Sequence, residues 1–383
     1  MDEQFSIQDE RFMRRALKLA GRGLGRVSPN PAVGAVVVKN GVVVGEGYHL
    51  WDKLSHAEVI ALERAGKQAE GADIYVTLEP CSHYGRTPPC VDAILSKGIR
   101  RVFVAIKDPD LRVSGTGITR LREEGLQVKL GLCRREAYDI NEPYFHSVIT
   151  GRPLVTLKLA MSMDARIATQ NGQSQWITGS ESRKYVHRLR FLHDSVLVGS
   201  GTFKADNPRL DARWVKAKRV TRVILDSSAS CLSPGSRILE SGDPILVFHD
   251  QEVTHTGPII PGKSLEYCGV PRENGILSWS HILEELGRRR IRSVLTEGGG
   301  KVAASLIRQG YVNRLCIFYS SMFIGSEGLP GIGSLDTSEL MKSFRFRITG
   351  TRRLGDDLCV EGRVDQDDHA LPLYVKGSFD NKI

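Results

Sequence analysis

SHAEV (residues 55–59) and EPCSHYGRTPPC (residues 79–90) decide how this chain is read. The first stretch carries His56 and Glu58, the second Cys81 and Cys90. One neutral imidazole and two thiolates hold zinc and leave a fourth tetrahedral position open for water. A carboxylate two residues from the metal-binding His, and not itself a ligand, is placed to carry protons in a hydrolysis. His56, Cys81 and Cys90 are therefore the expected metal ligands, and Glu58 the expected catalytic acid–base. The plainer alternatives are a closed structural zinc site, or three buried residues with no metal. His83 is the competing ligand, but simultaneous coordination two residues after Cys81 is awkward.

The local pattern around these stretches agrees with such a site. HAEVIALERAGK has helical periodicity, which puts His56 and Glu58 at or near a helix start, close to its partial positive charge. GADIYVTLEP reads as a strand ending at Pro80, so Cys81 sits just past a strand end. TPPCVDAILSKG opens a second helix with Pro in its first turn. The metal is then pinned between two helix starts. Upstream, residues 9–23 read as a helix with Phe12, Ala16, Leu19 and Ala20 on one side. AVVVKNGVVVGEGY reads as a hairpin around Asn40-Gly41. RVFVAIKDP adds a strand, and this alternation predicts an α/β domain with a mostly parallel sheet over residues 1–150.

REAYDINEPYFHSVITGRP mixes charge, Pro and Gly and reads as the junction, with the boundary near Thr150. Residues 151–383 form a second α/β domain. Its strands are LVTLKLAMS, DSVLVGSGT, RVILDSS, PILVFHD, RSVLTEGGG and RLCIFYSSMFIG. SVLTEGGGKVAASL is strand, triple glycine, helix, a form that suits close approach of backbone to a phosphate at a helix N-terminus. It is neither a Walker A loop nor G-x-G-x-x-G. LVGSGTFKADNP holds a second glycine-rich turn after a strand. Either alone is also an ordinary tight turn; together they point to a nucleotide cofactor.

Bulk properties narrow the function. The chain has 383 residues, 41% hydrophobic and 25% charged, with seven Cys, an odd count that argues against a secreted disulfide framework. Cys133, Cys231, Cys268, Cys316 and Cys359 are expected to be reduced. The N-terminus lacks an apolar signal segment, and the longest apolar runs are too short to span a bilayer, so no membrane and a cytoplasmic location are expected. Net charge is +9, of which only +2 falls in residues 1–150. The basic excess lies away from the zinc motif and lacks the interleaved aromatics of a single-strand platform, so no nucleic acid is expected. Solvated faces or a pocket for phosphorylated small molecules account for it.

The hydrolytic deaminase signature joins His-x-Glu to Pro-Cys-x-x-Cys. Here Cys81 and Cys90 enclose eight residues instead of two. Together with PNPAVGAVVV, HAEV and VTLEPCSHYGRTPPC, that insert resembles the deaminase half of the bifunctional riboflavin-biosynthesis deaminase/reductases. LKLAMSMDARIAT, GQSQWITG, VGSGTFKADNPRLDAR and EGGG resemble the reductase half, so the likeness covers nearly the whole chain in the family's order.

The resemblance implies a cytidine-deaminase-like α/β/α sandwich followed by a dihydrofolate-reductase-like α/β domain. It implies zinc-dependent deamination of a phosphorylated pyrimidine ribosylamine, followed by NADPH reduction of the ribosyl group to ribityl. His83, Arg86 and His49 match phosphate-contacting positions, and Asn30 a ribose- or base-contacting one. A solvated loop charge for Arg86 and a satisfied core histidine for His49 are the alternatives. Ala160, Trp176, Thr202, Asp206, Ser227 and the loop from Gly299 through Gly300 to Lys301 match cofactor-contacting positions. Ser174, Arg190, Leu210, Arg213 and Glu297 match substrate-contacting ones, with Arg190 and Arg213 suited to a phosphate by forked hydrogen bonding. Lys158, Asp206 and Glu297 are assigned jointly to ribose opening and hydride transfer; a snorkelling strand lysine is the alternative for Lys158. In MDARIA the family pattern has Gly in place of Ala165, which costs little unless that residue takes positive φ. A homo-oligomer is expected. The rival reading is a deaminase of another nucleotide or of a nucleic-acid base, with an inactive C-terminal domain.

Overall fold

The computed structural model describes residues 5–49, 55–85, 87–213, 218–254, 257–258, 262 and 264–364. They divide into two compact units, the first ending at Thr150 and the second beginning at Gly151.

The first unit opens with α1 (Ile7–Gly21), capped by Ser6, whose hydroxyl accepts from the Asp9 amide while Asp9 returns a bond to the Ser6 amide. Such a reciprocal cap stabilises a helix by about 1 kcal/mol. β1 (Gly34–Lys39) and β2 (Val42–Tyr48) form the expected hairpin. Asn40 and Gly41 both take positive φ, 52° and 77°, as a type I′ turn requires. Then follow α2 (Ala57–Ala65), β3 (Asp73–Val76), α3 (Cys90–Ser96), β4 (Arg101–Val104), α4 (Thr116–Glu123), β5 (Gln127–Leu130) and α5 (Arg134–Thr150). The sheet order is β2-β1-β3-β4-β5; β1 is antiparallel to both neighbours, and β3, β4 and β5 are parallel. Strand alternation sends Ala35, Val37, Ile74 and Val102 towards α2, α3 and α4. Val36, Val38, Tyr75 and Phe103 face α1 and α5.

The stretch read as the junction is in fact the helix α5, with Pro143 inside it. Pro143 removes one intrahelical bond. Burial of Ala137, Tyr138 and Phe145 opposes that loss. So does Asn141, whose side chain accepts from the Ala32 amide at 2.8 Å and donates to the Ala32 carbonyl at 2.9 Å.

Two helices lie directly on the hairpin. A Cβ on Gly47 would stand 2.1 Å from the Ala57 carbonyl, at the first turn of α2. Gly47→Ala is therefore expected to destabilise the first unit by about 1–3 kcal/mol. Because that turn follows His56 directly, the variant should also retain less zinc; urea unfolding and metal analysis check both effects.

The second unit begins with β6 (Leu154–Ser162), β7 (Arg166–Ala168), α6 (Ser180–Leu192), β8 (Ser195–Gly199), α7 (Ser200–Asp206), β9 (Thr221–Leu225), β10 (Ile245–Asp250) and β11 (Leu265–Val270). It continues through the short pair β12 (Arg272–Glu273) and β13 (Ile276–Leu277) to α8 (Trp279–Arg288), β14 (Ser293–Thr296) and α9 (Gly300–Arg308). β15 (Arg314–Ser320), β16 (Leu329–Pro330), β17 (Arg347–Leu354) and β18 (Asp357–Arg363) complete it. Nine strands form one sheet in the order β11-β10-β9-β8-β14-β6-β15-β18-β17. It is parallel from β11 to β15 and antiparallel from β15 to β17. Val155, Leu157, Leu159 and Met161 of β6 face α8 and α9. By alternation Lys158 and Ala160 face the α6 side. Among the described residues no helix is long and apolar enough to cross a membrane.

Candidate active sites

The first cluster is built from two helix starts and the loop after β3, which ends at Val76, short of the Pro80 strand end expected from the sequence. His56 is the N-cap of α2 and Cys90 the first residue of α3. Cys81 lies in the loop after β3. His56 Nδ1 is 3.0 Å from Cys90 Sγ and 3.5 Å from Cys81 Sγ, and the three donor atoms all lie within 4.8 Å of one another. Zn–S of about 2.3 Å and Zn–N of about 2.0–2.1 Å put tetrahedral S–N edges near 3.6 Å. The donor set fits that ion. The Cys90 amide donates to Cys81 Sγ at 3.3 Å. A hydrogen bond from Cys90, opposed by burial and aided by His56, holds the Cys81 thiol down at about 4. The proton stays on Cys90, whose thiol is pushed well up. His83 is exposed and does not belong to the cluster.

Glu58 sits in the first turn of α2, 4% exposed. Burial raises its pKa above the ordinary carboxylate range, against the pull of His56. A raised carboxyl pKa makes the group a better proton acceptor, which suits a proton carrier. His49 is buried, edge-on to His56 at 5.6 Å between ring centres, with Nε2 3.3 Å from Asn30 Nδ2. Burial, then His56, lowers its pKa, so it faces the site as neutral imidazole. Arg86 lies outside the described residues.

Sequence reading passed over Glu79. Its buried carboxylate accepts the amides of Asp108, Gly115, Gly117 and Ile118 at 2.9–3.3 Å. It clamps the β4–α4 loop to the turn that carries Cys81. An acidic residue closing the apolar run IYVTLEP was the available signal.

The second cluster lies on the α6 face of the large sheet. Glu297, just after β14, receives Arg190 Nε at 2.6 Å and Nη2 at 3.0 Å. Lys158 Nζ stands 3.6 Å from Oε2, the same oxygen that accepts from Arg190 Nη2. Burial pushes the Glu297 carboxyl up, but Arg190 and Lys158 outweigh it and hold the pKa at about 2. The Arg190 fork expected to meet a phosphate is thus closed on Glu297, and its Nη1 donates to the Asp211 carbonyl at 3.2 Å. The Asp211 carboxylate in turn accepts from Arg213 at 2.6 Å. His187, one turn before Arg190 on α6, is lowered to about 4 by burial and by the charges of Arg190 and Arg213. Neither Asp211 nor His187 was picked out from the sequence.

The remaining positions are spread over several elements, with the two glycine-rich turns following β8 and β14. Gly299 caps α9 and Gly300 and Lys301 open it. A Cβ on Gly299 would stand 3.3 Å from Thr202 Oγ1, so the two glycine-rich turns adjoin. Ser174 donates to Asp206 at 3.1 Å. Trp176 is 67% exposed with Arg183 stacked 4.5 Å above its ring. Ala160 lies on β6, and Ser227 follows β9. Leu210 is different: its side chain is packed in the core at 2% exposure, and its backbone takes φ 55°. Only backbone atoms of Leu210 are left to meet a ligand.

Ala165 takes φ 61°, so the Gly-to-Ala departure does carry a cost. An L-residue in this region loses about 1–2 kcal/mol, partly offset by the chain entropy of Gly. Ala165→Gly is expected to stabilise the second unit by about 0.5–1 kcal/mol, a rise of about 2 °C in Tm by calorimetry.

Residues 6–106 match the cytidine and deoxycytidylate deaminase zinc-binding region, and residues 153–360 match the RibD C-terminal domain. Fold and site together define a bifunctional enzyme, a zinc-type deaminase joined to a reductase. Riboflavin biosynthesis protein RibD of Bacillus amyloliquefaciens is 40% identical over 356 residues, covering 91% of this chain and 95% of the relative. Its Escherichia coli counterpart is 37% identical over 372 residues, covering 92% and 99%. A solved RibD from Acinetobacter baumannii superposes with TM-score 0.83 at 32% identity, covering 94% of this chain and 99% of that one. The deaminase/reductase of Thermotoga maritima gives 0.83 at 36%, covering 93% and 99%. The chain belongs to the RibD family of riboflavin-biosynthesis enzymes.

Proposed function

We propose that this chain deaminates 2,5-diamino-6-(5-phosphoribosylamino)pyrimidin-4(3H)-one to 5-amino-6-(5-phosphoribosylamino)uracil, then reduces the ribosyl group to ribityl. The observation that carries the reading is the convergence of His56, Cys81 and Cys90 beside a buried Glu58. The naming of the Thermotoga maritima structure as a deaminase/reductase of these two compounds supports it. His56, Cys81 and Cys90 would hold zinc, whose chemistry when bound is to acidify a water for attack on the amino-bearing ring carbon. The Glu58 carboxylate takes the water proton and returns it to the ring nitrogen and the departing ammonia. His49 and Asn30 orient the ribosylamine and His83 meets its phosphate, a role the sequence motif also gives to Arg86.

In the second unit the turns at Gly299–Lys301 and Thr202, with Ala160, Trp176, Asp206 and Ser227, would hold NADPH, the source of hydride for C1′. Lys158 is held by Glu297 and gives a proton to the ring oxygen as the ribose opens. Arg190 fixes Glu297 by its two-pronged hydrogen bond. Arg213, with Ser174 and the Leu210 backbone, receives the phosphate-bearing end of the substrate.

Supplying the pyrimidinone ribosylamine phosphate and following ammonia release and NADPH oxidation in one tube tests the proposal. Both signals are expected, ammonia first. Ammonia without NADPH oxidation would overturn the reductase assignment. Silence of both, with release of ammonia from a cytosine or adenine nucleotide instead, would overturn the substrate.

A further inference from the structure

Two cysteines outside both active centres have their sulfurs in direct contact. Cys316 on β15 and Cys359 on β18 have their sulfurs 3.6 Å apart, at 2% and 0% exposure. Glu361 stands opposite Cys316 in the β15–β18 register. One of its carboxylate oxygens lies within 4.8 Å of both sulfurs. That carboxylate accepts from Tyr185 Oη at 2.6 Å and from Arg352 Nη2 at 3.0 Å. The strand neighbour of Cys316 on its other side is Lys158.

Two sulfurs and one carboxylate oxygen are the donor set of a borderline-soft d¹⁰ cation. A tetrahedral zinc with Zn–S of about 2.3 Å has an S–S edge of about 3.8 Å, close to the spacing here. A disulfide fits less well. Cys359 pairs with Phe318, not Cys316, so the two cysteines are diagonal neighbours. Diagonal Cα atoms in antiparallel strands are about 7–8 Å apart, at or beyond the reach of an S–S bond. A metal ion spans the gap without moving the backbone.

We propose that Cys316, Cys359 and Glu361 form a second metal site, for Zn²⁺ or Cd²⁺, next to the strand that carries Lys158. On binding, each thiol loses its proton to solvent, two metal–sulfur bonds form, and no electron is transferred. The divalent ion replaces two protons, so the net charge of the cluster is unchanged and Arg352 stays compensated. Glu361 is the most exposed ligand, with 27% of its side chain open, and marks the entry path.

Cadmium titration of metal-free protein tests this, with the ultraviolet sulfur-to-cadmium band as readout. The wild type should take up two equivalents per chain. Cys316→Ala and Cys359→Ala should each take up one while keeping the wild-type circular dichroism. Glu361→Gln should hold the second equivalent about tenfold or more weakly. Cys81→Ala should retain the second-site band alone. A single equivalent in the wild type that Cys81→Ala abolishes would overturn the proposal and leave the deaminase site standing. Two equivalents persisting in Cys316→Ala would overturn it as well. A band in Cys81→Ala as large as in the wild type would instead count against the deaminase site alone.

Discussion

Glu58→Gln is expected to lower ammonia release by about 10²–10⁴-fold while NADPH oxidation of the pre-deaminated intermediate stays at the wild-type rate. The amide is nearly isosteric with the carboxyl, so the first turn of α2 keeps its packing and His56 its place as N-cap. What is lost is the proton carrier. Zinc content, measured on the same preparation, should match the wild type because Glu58 is not among the three converging donors. Loss of both activities in a folded, zinc-loaded variant would contradict a two-centre enzyme. Retention of ammonia release within a factor of about ten would remove Glu58 from the proton path.

Glu297→Gln should have the opposite pattern, with reductase lost and deaminase kept. Glu297 is the one anion between Arg190 and Lys158, all three with side chains at most 15% exposed. Removing one partner of a buried ion pair costs about 3–5 kcal/mol because the remaining charges are left uncompensated. The pH dependence gives an independent check. The folded-state pKa of Glu297 is held at about 2, below the ordinary 4.5. A depressed carboxyl pKa means that the ionised form is favoured in the folded chain. Its stabilising contribution is therefore full above pH 4.5 and is lost as pH falls through 2. Unfolding of the second unit in urea should show that acid slope in the wild type and lack it in Glu297→Gln. The two stabilities should converge towards pH 2. A parallel pair of pH profiles would show that Glu297 is not ionised against Arg190 and Lys158 in the folded state.

The zinc triangle was legible because its parts are local signals. His56 precedes a helical period and Cys90 opens a helix directly after Pro89, so these two places follow from adjacent residues; the strand expected to end at Pro80 stops at Val76, which leaves Cys81 in the loop beyond it. The reductase cluster was legible in its members but not in their partnerships. Arg190 reads as a phosphate fork until the fold brings it within 2.6 Å of Glu297, 107 positions away. Glu79 reads as the end of a strand until four amides from 29–39 positions downstream close on it.

The α5 helix shows the same divide within one element. Its Pro143 argues against a helix locally, and the buried face and the Asn141–Ala32 pair overrule that argument from elsewhere in the unit. Ala165 is the converse case. Its backbone angle is imposed by the turn between β6 and β7, where its amide donates to the Ser162 carbonyl and its carbonyl accepts from Gly331.

By itself the sequence determined the two α/β halves, the grouping of His56, Cys81 and Cys90 with Glu58 beside it, and the glycine-rich turns at strand ends. Periodicity, caps and turn residues act over a few positions and need no long-range contact to be read. Only the tertiary structure decided which charge meets which charge, where a carboxylate becomes a backbone clamp, and that Cys316 and Cys359 approach to 3.6 Å. Those outcomes depend on strand order and register, which bring residues together across separations that no local pattern encodes.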